Sequence, residues 1–327
     1  MRRTPDETDA RERTVMRNRL NWVDGLLALM ATVWAVNFTI VKIALQDFSP
    51  LSFNALRFIL ASATLALLFR LRRGTWAVES EDLGALIALG ILANTIYQVA
   101  FIEGLARSRA STAALILATT PVVVAFLNAV RGQERVTRRT AVGIGLSLLG
   151  IALIVGEDWS RLRGFRPPFG ADGQPHQSAL GDVLLLVATV CWSLYTIGLK
   201  RHVHRYGALK STLLVMISGT IPLVAISLPE LRAQSWAAIR PTAWGALLFS
   251  ALGAIVFCFL AWNYGVKHLG STRTAIYSNL SPAIALVVAW IGLNERPSAE
   301  QLVGAAVILL GISLARHREE ESELTLS

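Results

Sequence analysis

The sequence is short of charge. Asp, Glu, Lys and Arg make up 16% of its 327 residues, 54% are hydrophobic, and the mean hydropathy is +0.51. Soluble domains carry about 25% charged residues. A soluble chain with so few would lack the polar surface to cover its core. Cysteine is almost absent, and both residues, Cys191 and Cys258, lie inside apolar runs. They read as small buried hydrophobes, with no disulfide or metal site implied. Enzyme motifs are missing too: there is no phosphate-binding P-loop, no GxSxG and no HExxH. His202 and His204 have no further ligands nearby in sequence and read as residues of a solvated loop. No cofactor is expected.

What the chain does have is apolar runs of near twenty residues. Ten of them read as transmembrane helices, near 25–45, 51–69, 83–103, 110–130, 138–155, 181–199, 209–228, 242–262, 272–291 and 299–315. The runs are continuous and lack the alternation of a membrane barrel. An all-α integral membrane protein is therefore expected. The formal net charge of +9 could suggest nucleic acid, but the basic residues sit in short loops between the runs. The bilayer, not nucleic acid, is the partner this pattern implies. The Arg-rich first segment reaches Asp24 without an apolar core or cleavage site, so it reads as a cytoplasmic tail, not a signal peptide. Lys and Arg concentrate on the side shared with that tail, as at Arg70, Arg72, Arg73, Arg131, Arg135, Arg138, Arg139, Lys200, Arg201, Arg205 and Lys210. This bias puts both termini in the cytoplasm and the chain in the inner (plasma) membrane.

An internal repeat is the strongest signal. One constant offset carries Gly84-Ala85-Leu86 onto Gly245-Ala246-Leu247 and Gly104 onto Gly265. It also carries Pro121 onto Pro282, Glu134-Arg135 onto Glu295-Arg296, and Leu148–Ile151 onto Leu309–Ile312. A slightly smaller offset pairs Asp24 with Asp182, Trp34 with Trp192, and Lys42 with Lys200. Each copy holds five helices. An odd number makes the second copy enter from the opposite face, the inverted repeat of many secondary transporters. The expected organisation is a tail at 1–23, a first repeat at 24–155, a Gly- and Pro-rich linker at 156–180, a second repeat at 181–315, and a tail at 316–327.

The stretch Trp34-Ala-Val-Asn37-Phe38-Thr-Ile-Val-Lys42 resembles the first-helix signature of EamA-type transporters of the drug/metabolite transporter superfamily. Arg57-Phe58-Ile59-Leu60 resembles the second-helix signature, and the Pro121 and Pro282 helices, each followed by a Glu and a Gly-rich helix, match as well. The resemblance covers about 24–315. It implies a fold of ten helices in two repeats and the export of amino acids, nucleobase-like metabolites or other small solutes. The second copy departs from the pattern, with Tyr195 where the first has Asn37 and no counterpart to Arg57.

Several residues could line a solute path. Arg57 lies about two turns into its helix, where a charge costs ~2.5 kcal/mol or more at the bilayer centre. It reads either as a cavity residue for a carboxylate or as a structural pair or snorkelling side chain. Asn94, Tyr97 and Gln98 share one helix face and align with apolar Ile255, Cys258 and Phe259. Such a stripe serves a site or interhelical hydrogen bonding. Trp34 and Trp192 lie mid-helix and read as cavity walls or as packing bulk. Lys42 stands between a polar cavity and the interface, whereas Lys200 reads as a snorkelling residue. Glu103 reads as a partner of Arg107, Asp24 and Asp182 as N-caps, and Ser298 with Gln301 as a capping box. Glu134 and Glu295 read as helix-start charges. Pro121 and Pro282 read as bends that could gate.

The reading is a secondary transporter, an exporter of small polar metabolites by alternating access. Trp34, Asn37, Lys42, Arg57, Tyr97, Gln98, Trp192 and Tyr195 are its candidates for solute contact. A small solute and the bilayer are the partners, and a homodimer is left open. A membrane-embedded sensor or assembly partner is the competing class. A membrane enzyme is weaker, since no Asp, Glu or His cluster marks one membrane face.

Overall fold

The computed structural model describes residues 5–130, 179–269 and 280–316, with isolated positions at 142–153, 274 and 277. The linker and most of the helix expected at 138–155, with Glu134 ahead of it, lie outside the described residues. Helices account for the architecture, and no strand occurs among the described residues. In chain order they are α1 (Pro5–Ala44), α2 (Pro50–Leu71), α3 (Ser80–Arg107), α4 (Ala110–Leu117) and α5 (Thr120–Val130). The second half adds α6 (Ala179–Tyr206), α7 (Ala208–Ala233), α8 (Pro241–Leu269), α9 (Leu280–Leu293) and α10 (Ala299–Arg316).

Among the described residues, six segments are long and apolar enough to cross a bilayer: Trp22–Ala44, Pro50–Leu71, Ser80–Arg107, Leu180–Tyr206, Ala208–Ala233 and Pro241–Leu269. The shortest, at 22 residues, reaches ~33 Å, against a hydrocarbon core of ~30 Å. The protein is thus a multi-pass membrane protein.

Local chemistry sets where the helices break. The helix expected over 110–130 divides at Ala118–Thr119, just ahead of Pro121. Proline has no N–H and its ring collides with the preceding turn. The Thr119 and Thr120 hydroxyls donate to the carbonyls of Ile116 and Leu117, each at 2.6 Å, and satisfy groups the break leaves open. Ser298 and Gln301 form the expected capping box, with reciprocal bonds of 3.3 and 3.1 Å. Asp24 departs from its expected role. The first helix runs back to Pro5, so Asp24 lies inside α1 and accepts from the Tyr277 hydroxyl at 2.6 Å. Asp182 is in the first turn of α6 and accepts from Ser108 Oγ at 2.6 Å.

Both third-position helices carry a π turn, at Leu92–Ile96 in α3 and Phe249–Phe257 in α8. Under the repeat offset these segments overlap.

The halves exchange contacts. A Cβ at Gly104 of α3 would meet Leu185 of α6, and a Cβ at Gly265 of α8 would meet Leu27 of α1. Gly104 and Gly265 are repeat equivalents, and so are Leu27 and Leu185. Each half therefore packs its third helix on the other half's first. The α3–α7 crossing is closer still. A Cβ at Gly219 would lie 2.1 Å from the Gly90 carbonyl oxygen, so the backbones touch there.

The starts of α2 and α4 in the first half are capped from the second. Glu230 accepts from the Leu51 N–H at 2.8 Å, and Gln234 accepts from the Ser49 N–H at 2.8 Å. Glu295 accepts from the Ala110 and Ser111 N–H groups at 3.2 and 3.3 Å. The helix that Glu295 serves is thus α4 and not the neighbouring α10.

Candidate functional site

A cavity of about 100 Å³ lies where two buried apolar clusters meet. Phe38, Phe101 and Ala114 belong to one cluster, and Trp192, Phe259 and Trp262 to the other. Helices of both halves supply the wall.

Among the described residues, Arg57 of α2 is the only formally charged one on that wall, and it is 2% exposed. Its guanidinium donates to three neutral oxygens: Asn54 Oδ1 at 2.8 Å, Ser250 Oγ at 3.0 Å and Gln98 Oε1 at 2.7 Å. Asn54 in turn donates to the Gln98 carbonyl at 3.0 Å. The rings of Phe53, Phe58 and Phe101 surround the group, each 5.6 Å from Cζ. Among the described residues no carboxylate stands within ion-pair distance. Neutral dipoles and ring faces hold this cation in place, and its charge stays uncancelled.

Much of the remaining wall is aromatic. Trp34 meets Trp192 at 6.0 Å, edge to face, and Trp262 at 5.6 Å. Trp192 also packs on Tyr97 at 5.2 Å and Phe259 at 5.3 Å. The Trp34 indole N–H donates to the Ala254 carbonyl at 2.9 Å, inside the α8 π turn. A π turn shifts the ladder from i−4 to i−5 and opens carbonyls to outside donors. Asn37 completes the wall. It is 7% exposed, and among the described residues its Oδ1 has no hydrogen-bond donor.

Of the expected site residues, Trp34, Asn37, Arg57, Tyr97, Gln98 and Trp192 are on the cavity wall. Tyr195 is not. It is buried behind Trp192, with ring centroids 5.0 Å apart. Lys42 also lies off the wall, buried on α1 in the fields of Glu295 and Arg109. Asn94 leaves the stripe it was grouped with and donates to the Val215 carbonyl at 2.9 Å, joining α3 to α7. Pro121 and Pro282 sit at the second position of α5 and the third of α9. Trp262, Ser250 and Asn54 escaped the sequence reading. Asn54 lies one turn before Arg57, and that spacing was the available signal.

Other assignments resolve at the ends of the helices. Glu103 pairs with Arg107, as expected, and Lys200 is exposed. His202 differs from expectation: it is buried at the end of α6, 3.6 Å from Asp82 Oδ1. Asp82 also accepts from Arg205 at 2.6 Å and Tyr206 at 2.7 Å, which ties the start of α3 to the end of α6. At the opposite membrane face Asp47 takes two bonds from Arg240 Nε, at 3.0 and 2.9 Å.

The chain is similar to known proteins. YyaM of Bacillus subtilis, named an uncharacterized transporter, is 26% identical over 279 residues, covering 85% of this chain and 88% of that one. A protein of Streptantibioticus cattleyicolor named "Probable terminal-alkyne amino-acid exporter" is 28% identical over 292 residues, covering 89% and 92%. One of Escherichia coli named "Probable amino-acid metabolite efflux pump" is 26% identical over 299 residues, covering 88% and 93%. A solved crystal structure shares the fold at 17% identity, with a TM-score of 0.59 over 89% of this chain and 95% of that one. Residues 21–156 and 179–316 each match one and the same domain family. Two such matches span most of the sequence, and the chain belongs to the EamA-like transporter family.

Proposed function

We propose that this chain is a secondary transporter that exports small polar metabolites, amino acids or nucleobase-like solutes, by alternating access. In this reading ten membrane helices form two inverted five-helix repeats, at 24–155 and 181–315, with 156–180 as linker. The tails 1–23 and 316–327 are cytoplasmic, and the membrane is the inner (plasma) membrane. A solute or ion gradient supplies the energy, since the sequence carries no nucleotide-binding loop.

One observation carries the proposal. Arg57 is buried and charged on the wall of a cavity that both halves build, and among the described residues its acceptors are all neutral. A charge at membrane depth costs free energy that a merely structural role leaves unreturned. A solute carboxylate returns it by a charge-assisted pair. The exchanged helices around the cavity support a rocking of the halves, with Pro121 and Pro282 as bends. The names of the Streptantibioticus and Escherichia relatives support export as the direction.

The test is solute counterflow in proteoliposomes with labelled amino acids, nucleobases and sugars. Accumulation of one class that is lost in Arg57→Gln supports the proposal. No counterflow from folded, inserted protein refutes it.

A further inference from the structure

We infer that two ion pairs, Asp47–Arg240 and Glu79–Arg205, are paired latches that close the two membrane faces in turn. This rests on the transporter reading above, whose alternating cycle the latches serve.

The internal repeat relates the two pairs. The offset that pairs Trp34 with Trp192 carries Asp47 onto Arg205, and the offset that pairs Gly84 with Gly245 carries Glu79 onto Arg240. Each pair thus joins the far end of one half's first helix to the residue just ahead of the other half's third helix. In both pairs the first half supplies the acid and the second half the arginine. Further bonds follow the same course. Gln234 donates to the Asp47 carbonyl and Arg240 to Gln46 Oε1, each at 3.0 Å. At the other face Lys210 donates to the Ala77 carbonyl, and the Tyr206 hydroxyl accepts from the Glu79 N–H at 3.3 Å. Both latches are closed in this structure, with the cavity between the two faces.

A pivot stands between them. Ser62 of α2 and Thr220 of α7 are repeat equivalents, and their hydroxyls meet at 3.0 Å. A residue that touches its own counterpart marks the pseudo-two-fold axis of the repeats. α2 begins three residues after Asp47, and α7 three residues after Arg205. Tilting α2 against α7 about this point parts their ends at one face and presses them together at the other. The latches are cheap to break. The Glu79 and Arg240 side chains are 56% and 55% exposed. An exposed ion pair has a small net worth, which suits a contact that opens once in every cycle.

The experiment reads which face reaches the cavity. Ser281→Cys puts a thiol on the cavity wall, with Cys191→Ala and Cys258→Ala removing the two native thiols. A membrane-impermeant maleimide is added to right-side-out and to inside-out vesicles. Arg240→Gln should speed labelling from the Asp47 face about two- to fivefold and slow it from the other face. Arg205→Gln should do the reverse, and more strongly, because Arg205 also holds Asp82. Glu79→Gln should follow Arg205→Gln with a smaller effect. Asp47→Arg combined with Arg240→Asp should restore the wild-type rates, which a misfolded variant cannot do. Rates that stay unchanged, a variant that speeds labelling from both faces, or a charge exchange that restores nothing overturns the latches. Counterflow by the wild-type protein separates the two readings. Solute exchange without face-specific labelling overturns the latches alone. Face-specific labelling without exchange of any solute overturns the transporter reading alone.

Discussion

At the scale of single residues, Arg57 shows how a cation survives in an apolar layer. Its neighbours supply oxygen dipoles and ring faces but no counter-charge. Arg57→Gln removes the charge and should weaken solute binding by ~1.5–3 kcal/mol, about 10- to 100-fold. Arg57→Lys should not rescue it, because an ammonium lacks the planar fork that reaches three partners at once. Counterflow on both variants, with thermal melting to confirm folding, checks this. Trp34 gives a second prediction. Trp34→Phe keeps a ring at the wall but leaves the Ala254 carbonyl without its donor. The cost should be about 1 kcal/mol, read as a lower melting temperature in detergent. Arg57 was legible in the sequence because a charge inside an apolar run has no cheap explanation. Ser250 was not, since a serine in a membrane helix is ordinary until another helix aims a guanidinium at it. Lys42 shows the opposite failure. Its position marked it as unusual, yet nothing in a linear sequence says towards which neighbour a long side chain turns.

At the scale of elements, glycine decides where helices touch. Gly219 lies against the backbone of α3 at Gly90, whereas Gly245 has nothing within 4 Å of an added Cβ. Gly219→Ala should cost ~1–3 kcal/mol by forcing α3 and α7 apart. Gly245→Ala should leave stability unchanged or raise it by up to ~1 kcal/mol. Thermal melting of the pair separates close packing from general glycine effects, and equal responses would discount the crossing. Hydropathy made the long helices legible. The break before Pro121 was legible as a bend, and the threonine hydroxyls that make it tolerable stand beside it in sequence. The π turns were not legible, because no residue pattern distinguishes them from a regular turn in apolar sequence. Nor were the caps on α2 and α4, whose acids come from the end of α7 and from the loop before α10.

At the scale of the whole molecule, Asp47 and Arg240 form a charge lock at the membrane face opposite Asp82. The bond from Arg240 holds the Asp47 carboxyl below the ordinary carboxylate range. A lowered value adds stability above the ordinary pKa of ~3.9 and loses it as pH falls through the lowered value. The melting-temperature difference between wild type and Asp47→Asn should be full near neutrality and shrink below about pH 4. A gap that widens in acid would refute the assignment. The internal repeat was legible as matched residues, but its meaning emerged in space. Gly104 faces Leu185 and Gly265 faces Leu27, so each match is a contact made across the halves.

That exchange bears on how the protein is made. When the ribosome has delivered α1 to α5, the small-residue faces at Gly90 and Gly104 have nothing to rest on, because their partners lie in α6 and α7. The first half must wait in the bilayer, inserted but unfinished, until α6 and α7 are complete, about a hundred residues later. Chains truncated after α5 should therefore be short-lived in cells. The same two halves expressed as separate polypeptides should protect one another from proteolysis, and pulse-chase measurement of their lifetimes, alone and together, would show it.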